Sequence, residues 1–76
     1  MSHQAQKIVQ EAVSEVQKVL TDLGISYVLL SSSSEAIHFS VSEAAFVRSG
    51  DVTHYTFGVP IRIDGIPVRY QLDKTL

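Results

Sequence analysis

The sequence predicts an α+β domain: an N-terminal amphipathic helix packed on one face of an antiparallel β-meander of four to six strands. Three observations carry this reading. Apolar residues recur every three or four positions at Ala5, Ile8, Val9, Ala12, Val13, Val16, Val19, Leu20 and Leu23, which is one face of a helix. From Gly58 onward they alternate in twos, the period of a half-buried strand. Asp64-Gly65 then divides that alternating stretch with the residue pair favoured in a two-residue hairpin turn.

The helix is expected from about His3 to Leu23, with Ser2 placed to cap its start and Gly24 in the left-handed position that ends it. Ile25 would pack back on Leu20. Four valines in the stripe are weak helix formers, so the helix depends on being covered rather than on intrinsic propensity. Ala5, Val9, Ala12, Val16, Val19 and Leu23 also follow the steps of a coiled-coil seam, but Ile8, Val13 and Leu20 widen the stripe to suit a sheet. Lys7 with Glu11, Glu15 with Lys18, and Lys18 with Asp22 mark the opposite, solvated face.

Residues 25–30 and 36–41 are short and β-rich, and Ser31 to Ser34 between them read as a polar hairpin loop rather than a modification site. Residues 40–50 are ambiguous. Ser40 and Glu43 have capping-box spacing with Gly50 as a stop for a two-turn helix, while the alternation of Ile37, Phe39, Val41 and Ala45 narrowly favours strand. Arg48-Ser49-Gly50-Asp51 would then form a turn using glycine at positive φ.

The last hairpin has a predicted register. Ile63 opposite Ile66 sets Ile61 against Val68, Val59 against Tyr70 and Phe57 against Leu72, all facing the helix. Arg62, Arg69 and Gln71 then take the other face, with His54 further out, and Pro60, which lacks a donor, marks an edge or a bulge.

Composition narrows the function classes. The chain has 76 residues and no cysteine, so disulfides and thiolate metal sites are excluded, and a domain this small ordinarily gains stability from a partner. A net charge of −2 does not suit a surface devoted to gripping phosphate. No stretch reaches the length of a membrane span, and no leader pattern opens the chain, so a cytoplasmic protein with no membrane partner is expected.

No catalytic motif is recognisable. The three histidines, His3, His38 and His54, are far apart in sequence and lack metal-ligand spacing, the carboxylates fall mostly at turns, and the glycines are isolated. The expectation is a non-enzymatic protein-interaction module that needs no cofactor, pairing with itself as a homodimer or with another protein. Its interface residues are expected to be His38, Arg48, His54, Arg62, Arg69 and Gln71, on or beside the uncovered sheet face. Nucleic-acid binding by that face is the alternative, weakened because Tyr55, Phe57 and Tyr70 are expected to point into the core rather than out toward bases.

Overall fold

The computed structural model describes residues 3–76, so the Ser2 cap lies outside the described residues. Helix α1 spans His3–Asp22. Strands follow as β1 (Tyr27–Ser32), β2 (Ile37–Val41), β3 (Phe46–Ser49), β4 (Val52–Tyr55), β5 (Arg62–Ile63) and β6 (Ile66–Leu72), with a 3-10 turn at Glu43–Ala45. The α+β class is therefore as read from the sequence. Four strands form one sheet in the order β1-β2-β6-β5, and β3 pairs with β4 in a separate two-stranded sheet.

The helix ends as its sequence dictates. Gly24 sits at φ +76° and its N–H donates to the Thr21 carbonyl at 3.0 Å, while the Ile25 N–H donates to the Leu20 carbonyl at 2.9 Å. These two bonds form a Schellman stop, which satisfies carbonyls that a helix end leaves free. The turn also delivers Ile25 into the core, where it is 3% exposed.

Only part of the apolar stripe is covered. Ala12, Val13, Val16 and Leu20 are buried against Ile37, Phe39 and Val41 of β2 and Ile66 and Val68 of β6. Ile8 and Leu23, at either end of the stripe, remain 46% and 37% exposed. The wide central stripe on a sheet, rather than a zipper seam, is the packing this helix uses.

The ambiguous stretch resolves into several pieces. Strand β2 stops at Val41, the 3-10 turn takes Glu43–Ala45, and β3 begins at Phe46. Strand therefore flanks a single short helical turn, and Gly50, at φ +63°, makes the β3–β4 connection with Asp51. The serine loop is shorter than its sequence suggested, because Ser31 and Ser32 belong to β1. Ser33 organises the turn: its Oγ accepts from the Glu35 and Ala36 N–H groups, and its N–H donates to the Ala36 carbonyl.

The carboxyl-terminal hairpin begins as predicted and then departs. Asp64 and Gly65 both take positive φ, at 50° and 79°, the type I′ geometry that brings Ile63 opposite Ile66. Arg62 pairs with Pro67, and the Val68 N–H reaches the Ile61 carbonyl at 3.0 Å. The expected pairs of Val59 with Tyr70 and Phe57 with Leu72 do not form. Instead, Val59 closes a turn on Thr56 around Gly58 at φ +95°, and Phe57 is 96% exposed. The cause is twofold: Pro60 has no donor for a ladder, and Thr56 is held elsewhere, its N–H and hydroxyl bonding the Ala45 and Ala44 carbonyls.

Strand β6 finds its longer partner in β2 instead, pairing in parallel from Ile37 with Val68 through Val41 with Leu72. The other ladders are antiparallel, so this one pairing is what turns a simple meander into a mixed sheet. A parallel pair requires a crossover, and here residues 42–65, including the β3–β4 hairpin, supply it.

Candidate functional site

The sheet has one face under the helix and one face that no element covers among the described residues. Alternation along the strands decides which residues occupy each. On β2, Ile37, Phe39 and Val41 face the helix, leaving His38 and Ser40 on the opposite side, where Ser40 is nonetheless buried between its strand neighbours; on β6, Ile66 and Val68 face the helix, leaving Arg69 and Gln71 outward and exposed. The ladders place these side chains in rows. Ser31, His38 and Arg69 lie across β1, β2 and β6, and Val28, Ser40 and Gln71 form the next row. Arg62 stands outward on β5 beside Pro67, two positions along β6 from Arg69.

Four of the six interface residues expected from the sequence thus share a face: His38, Arg62, Arg69 and Gln71. Arg62, Arg69 and Gln71 are exposed, and His38 is half-buried. Arg48 and His54 are placed elsewhere, on the β3–β4 hairpin. Arg48 is opposite Thr53 and His54 opposite Val47, so the two side chains leave from opposite faces of that hairpin. No local signal marks these two strands as a separate sheet.

The charge distribution of the sheet is one-sided. None of β1, β2, β5 and β6 contains an aspartate or glutamate, and their formal charges are Arg62 and Arg69. The remaining residues, with four basic and eight acidic side chains, carry a net −4 within a chain of −2. The acidic groups lie on the helix, the 3-10 turn and the connections.

The aromatic side chains lie on the other side. Tyr27 meets Phe39 edge-on at 5.6 Å, Phe39 stacks on Tyr70 at 6.1 Å, Tyr70 meets Tyr55 at 5.4 Å, and Tyr55 meets Phe46 at 5.5 Å. This file runs from the helix-covered face of the sheet to the β3–β4 hairpin, and cross-ring contacts of this kind add to the area the rings bury. Burial, with Tyr55 close by, holds the Tyr70 phenol well above its ordinary ionisation range.

A second feature was not singled out in the sequence: the outer edge of β1. Among the described residues, strand β1 has a neighbour on one side alone, so half of its main-chain groups face away from the sheet. Val28, Leu29 and Leu30 on it are 47%, 37% and 51% exposed, and Tyr27–Ser32 contains no charged residue. A bulge at Leu30, where the register steps from Leu29 to Ser31, interrupts the edge. The signal was present as a run of apolar residues, but a run does not tell an edge strand from a central one.

Among the described residues, no three of the His, Asp and Glu side chains come together in a way that would hold a metal ion. No described helix is long and apolar enough to cross a membrane. No family model, curated protein or solved structure matches this chain.

Proposed function

We propose that this protein is a non-enzymatic protein-interaction module that forms a homodimer by pairing β1 with β1 of a second copy. The observation that carries the reading is the β1 edge: six residues, uncharged, with three adjacent apolar side chains exposed. An edge of this kind pairs readily with another strand unless charge, proline or cover prevents it. Antiparallel pairing of identical strands is compatible with two-fold symmetry, and an uncharged strand meets itself without electrostatic cost. The bulge at Leu30 limits the regular edge to a short segment, which favours a closed pair over open-ended stacking.

Charge argues for the edge over the sheet face as the self-interface. Face-to-face packing of two outer faces would set Arg62 and Arg69 of one copy near the same residues of the other, with no carboxylate on either sheet. Light scattering after size exclusion, across a dilution series, tests the proposal. A mass of twice the chain at high concentration, reverting to one chain in Leu30→Lys, is the expected result. A wild-type protein that remains a single chain throughout would overturn it.

A further inference from the structure

We infer that the outer face of the four-stranded sheet binds an acidic protein segment, one carrying carboxylates among small apolar residues. The inference rests on the reading of the protein as an interaction module and names the chemistry of a partner other than a second copy. Three features lead to it. The first is charge: Arg62 and Arg69 project from a sheet without acidic residues, in a chain whose other parts carry net −4. The face therefore attracts what the rest of the molecule repels, and such complementarity steers encounter and sets orientation.

The second is geometry. His38 and Arg69 are register partners on adjacent strands, and Arg62 lies diagonally beyond Arg69, so three nitrogen-bearing side chains run obliquely across β2, β6 and β5. Arginine offers a planar, paired-donor match to carboxylate. Gln71 stands two residues along β6 from Arg69 and adds an amide with both donor and acceptor.

The third separates protein from nucleic acid. Of the six aromatic side chains, Tyr27, Phe39 and Tyr70 stand on the helix-covered side of the sheet, Phe46 and Tyr55 on the separate β3–β4 hairpin, and Phe57, 96% exposed, on the Thr56–Val59 turn, so none stands in an outward position of β2, β5 or β6. A sheet that binds single strands relies on outward aromatics for base stacking. What accompanies the arginines here is Val28, 47% exposed, and the half-buried Pro67, which suit aliphatic side chains.

The test is an NMR titration of the full chain with two probes, a glutamate-rich peptide with interspersed valines and an oligothymidine. The expected result is saturable binding of the peptide, with amide shifts centred on His38, Arg62, Arg69 and Gln71. Affinity should fall about tenfold or more in the double variant Arg62→Ala and Arg69→Ala, as loss of two charge-paired contacts implies. It should be unchanged in Arg48→Ala, whose side chain stands on the other sheet. Binding of oligothymidine at these residues without the peptide would make the face a nucleic-acid surface and overturn the inference. Absence of binding by either probe, or equal loss in Arg48→Ala, would also overturn it. The molar mass of the same samples is read separately: a dimer that ignores the peptide sinks this inference alone, whereas a monomer that binds it sinks only the β1 pairing.

Discussion

The hydroxyl of Tyr70 donates a hydrogen bond to the carbonyl of Pro60, across the point where the β5–β6 ladder ends. Past Val68 no main-chain bond joins β6 to the segment before β5 among the described residues. The Tyr70 side chain replaces that ladder. It is half-buried between Phe39 and Tyr55, so one residue links the aromatic file to the loop that carries Phe57. Proline is suited to this position because the bond uses its carbonyl and leaves no unpaired N–H behind.

Removing the hydroxyl in Tyr70→Phe is expected to cost about 1 kcal/mol, the usual net worth of a single hydrogen bond, while keeping the ring contacts. The substitution also has a pH signature. The folded phenol ionises above its ordinary value, because of burial and then of Tyr55, so the unfolded chain releases this proton first. The stability tied to Tyr70 is therefore fully present below about pH 10, the ordinary tyrosine value, and is lost as pH rises beyond it. Urea unfolding across the alkaline range should show a shallower decline in Tyr70→Phe than in the wild type. Parallel declines would remove Tyr70 as the source.

Gly24→Ala is expected to destabilise the protein by about 1 to 2 kcal/mol, the cost of placing a Cβ in the left-handed region. No heavy atom lies within 4 Å of the added carbon, so the cost is one of backbone conformation rather than of collision. Gly24→Asn should recover part of it, since asparagine tolerates that region better than alanine. Thermal unfolding of the three proteins gives the order, and a wild-type midpoint for Gly24→Ala would mean that the Schellman stop is not maintained.

The helix face supplies a paired prediction. Val16 is fully buried and Ile8 is 46% exposed, although both belong to the same apolar stripe. Val16→Asp places a carboxylate among Leu20, Phe39 and Val68 with no partner, which should unfold the domain. Ile8→Ala should change stability by no more than about 0.5 kcal/mol, as for other exposed positions. Circular dichroism during urea unfolding separates the two, and equal effects would mean that the helix is seated differently on the sheet.

What was legible in the sequence was local. The stripe of α1, Gly24 as its stop, and the Asp64-Gly65 turn each place their signal within a few residues, so period and turn chemistry suffice to find them. The parallel pairing of β2 with β6 leaves no such mark, because its partners lie about thirty residues apart and no turn connects them. The site divided the same way. His38, Arg69, Gln71 and Arg62 fell together because alternation on each strand is a local property, while Arg48 and His54 went to a hairpin whose separation from the main sheet depends on tertiary contacts.

Phe57 distinguishes the observed topology from the simple meander more sharply than any other residue. In a continued hairpin it would face Leu72 beneath the helix, and an acidic substitution there would unfold the chain. In the structure it is 96% exposed on the Thr56–Val59 turn, beside a glycine whose added Cβ would meet only Leu23, at ordinary contact distance. Phe57→Asp should therefore leave the unfolding free energy within about 0.5 kcal/mol of the wild type, since an exposed aromatic contributes little to burial. A loss of about 3 kcal/mol or more, the scale of a large core aromatic, would place Phe57 inside and restore the longer β5–β6 ladder. Because β6 cannot pair with β2 differently without moving Tyr70, a Tyr70→Phe effect that persists in the Phe57→Asp background would confirm that the loop is held by the Pro60 carbonyl rather than by the Phe57 ring.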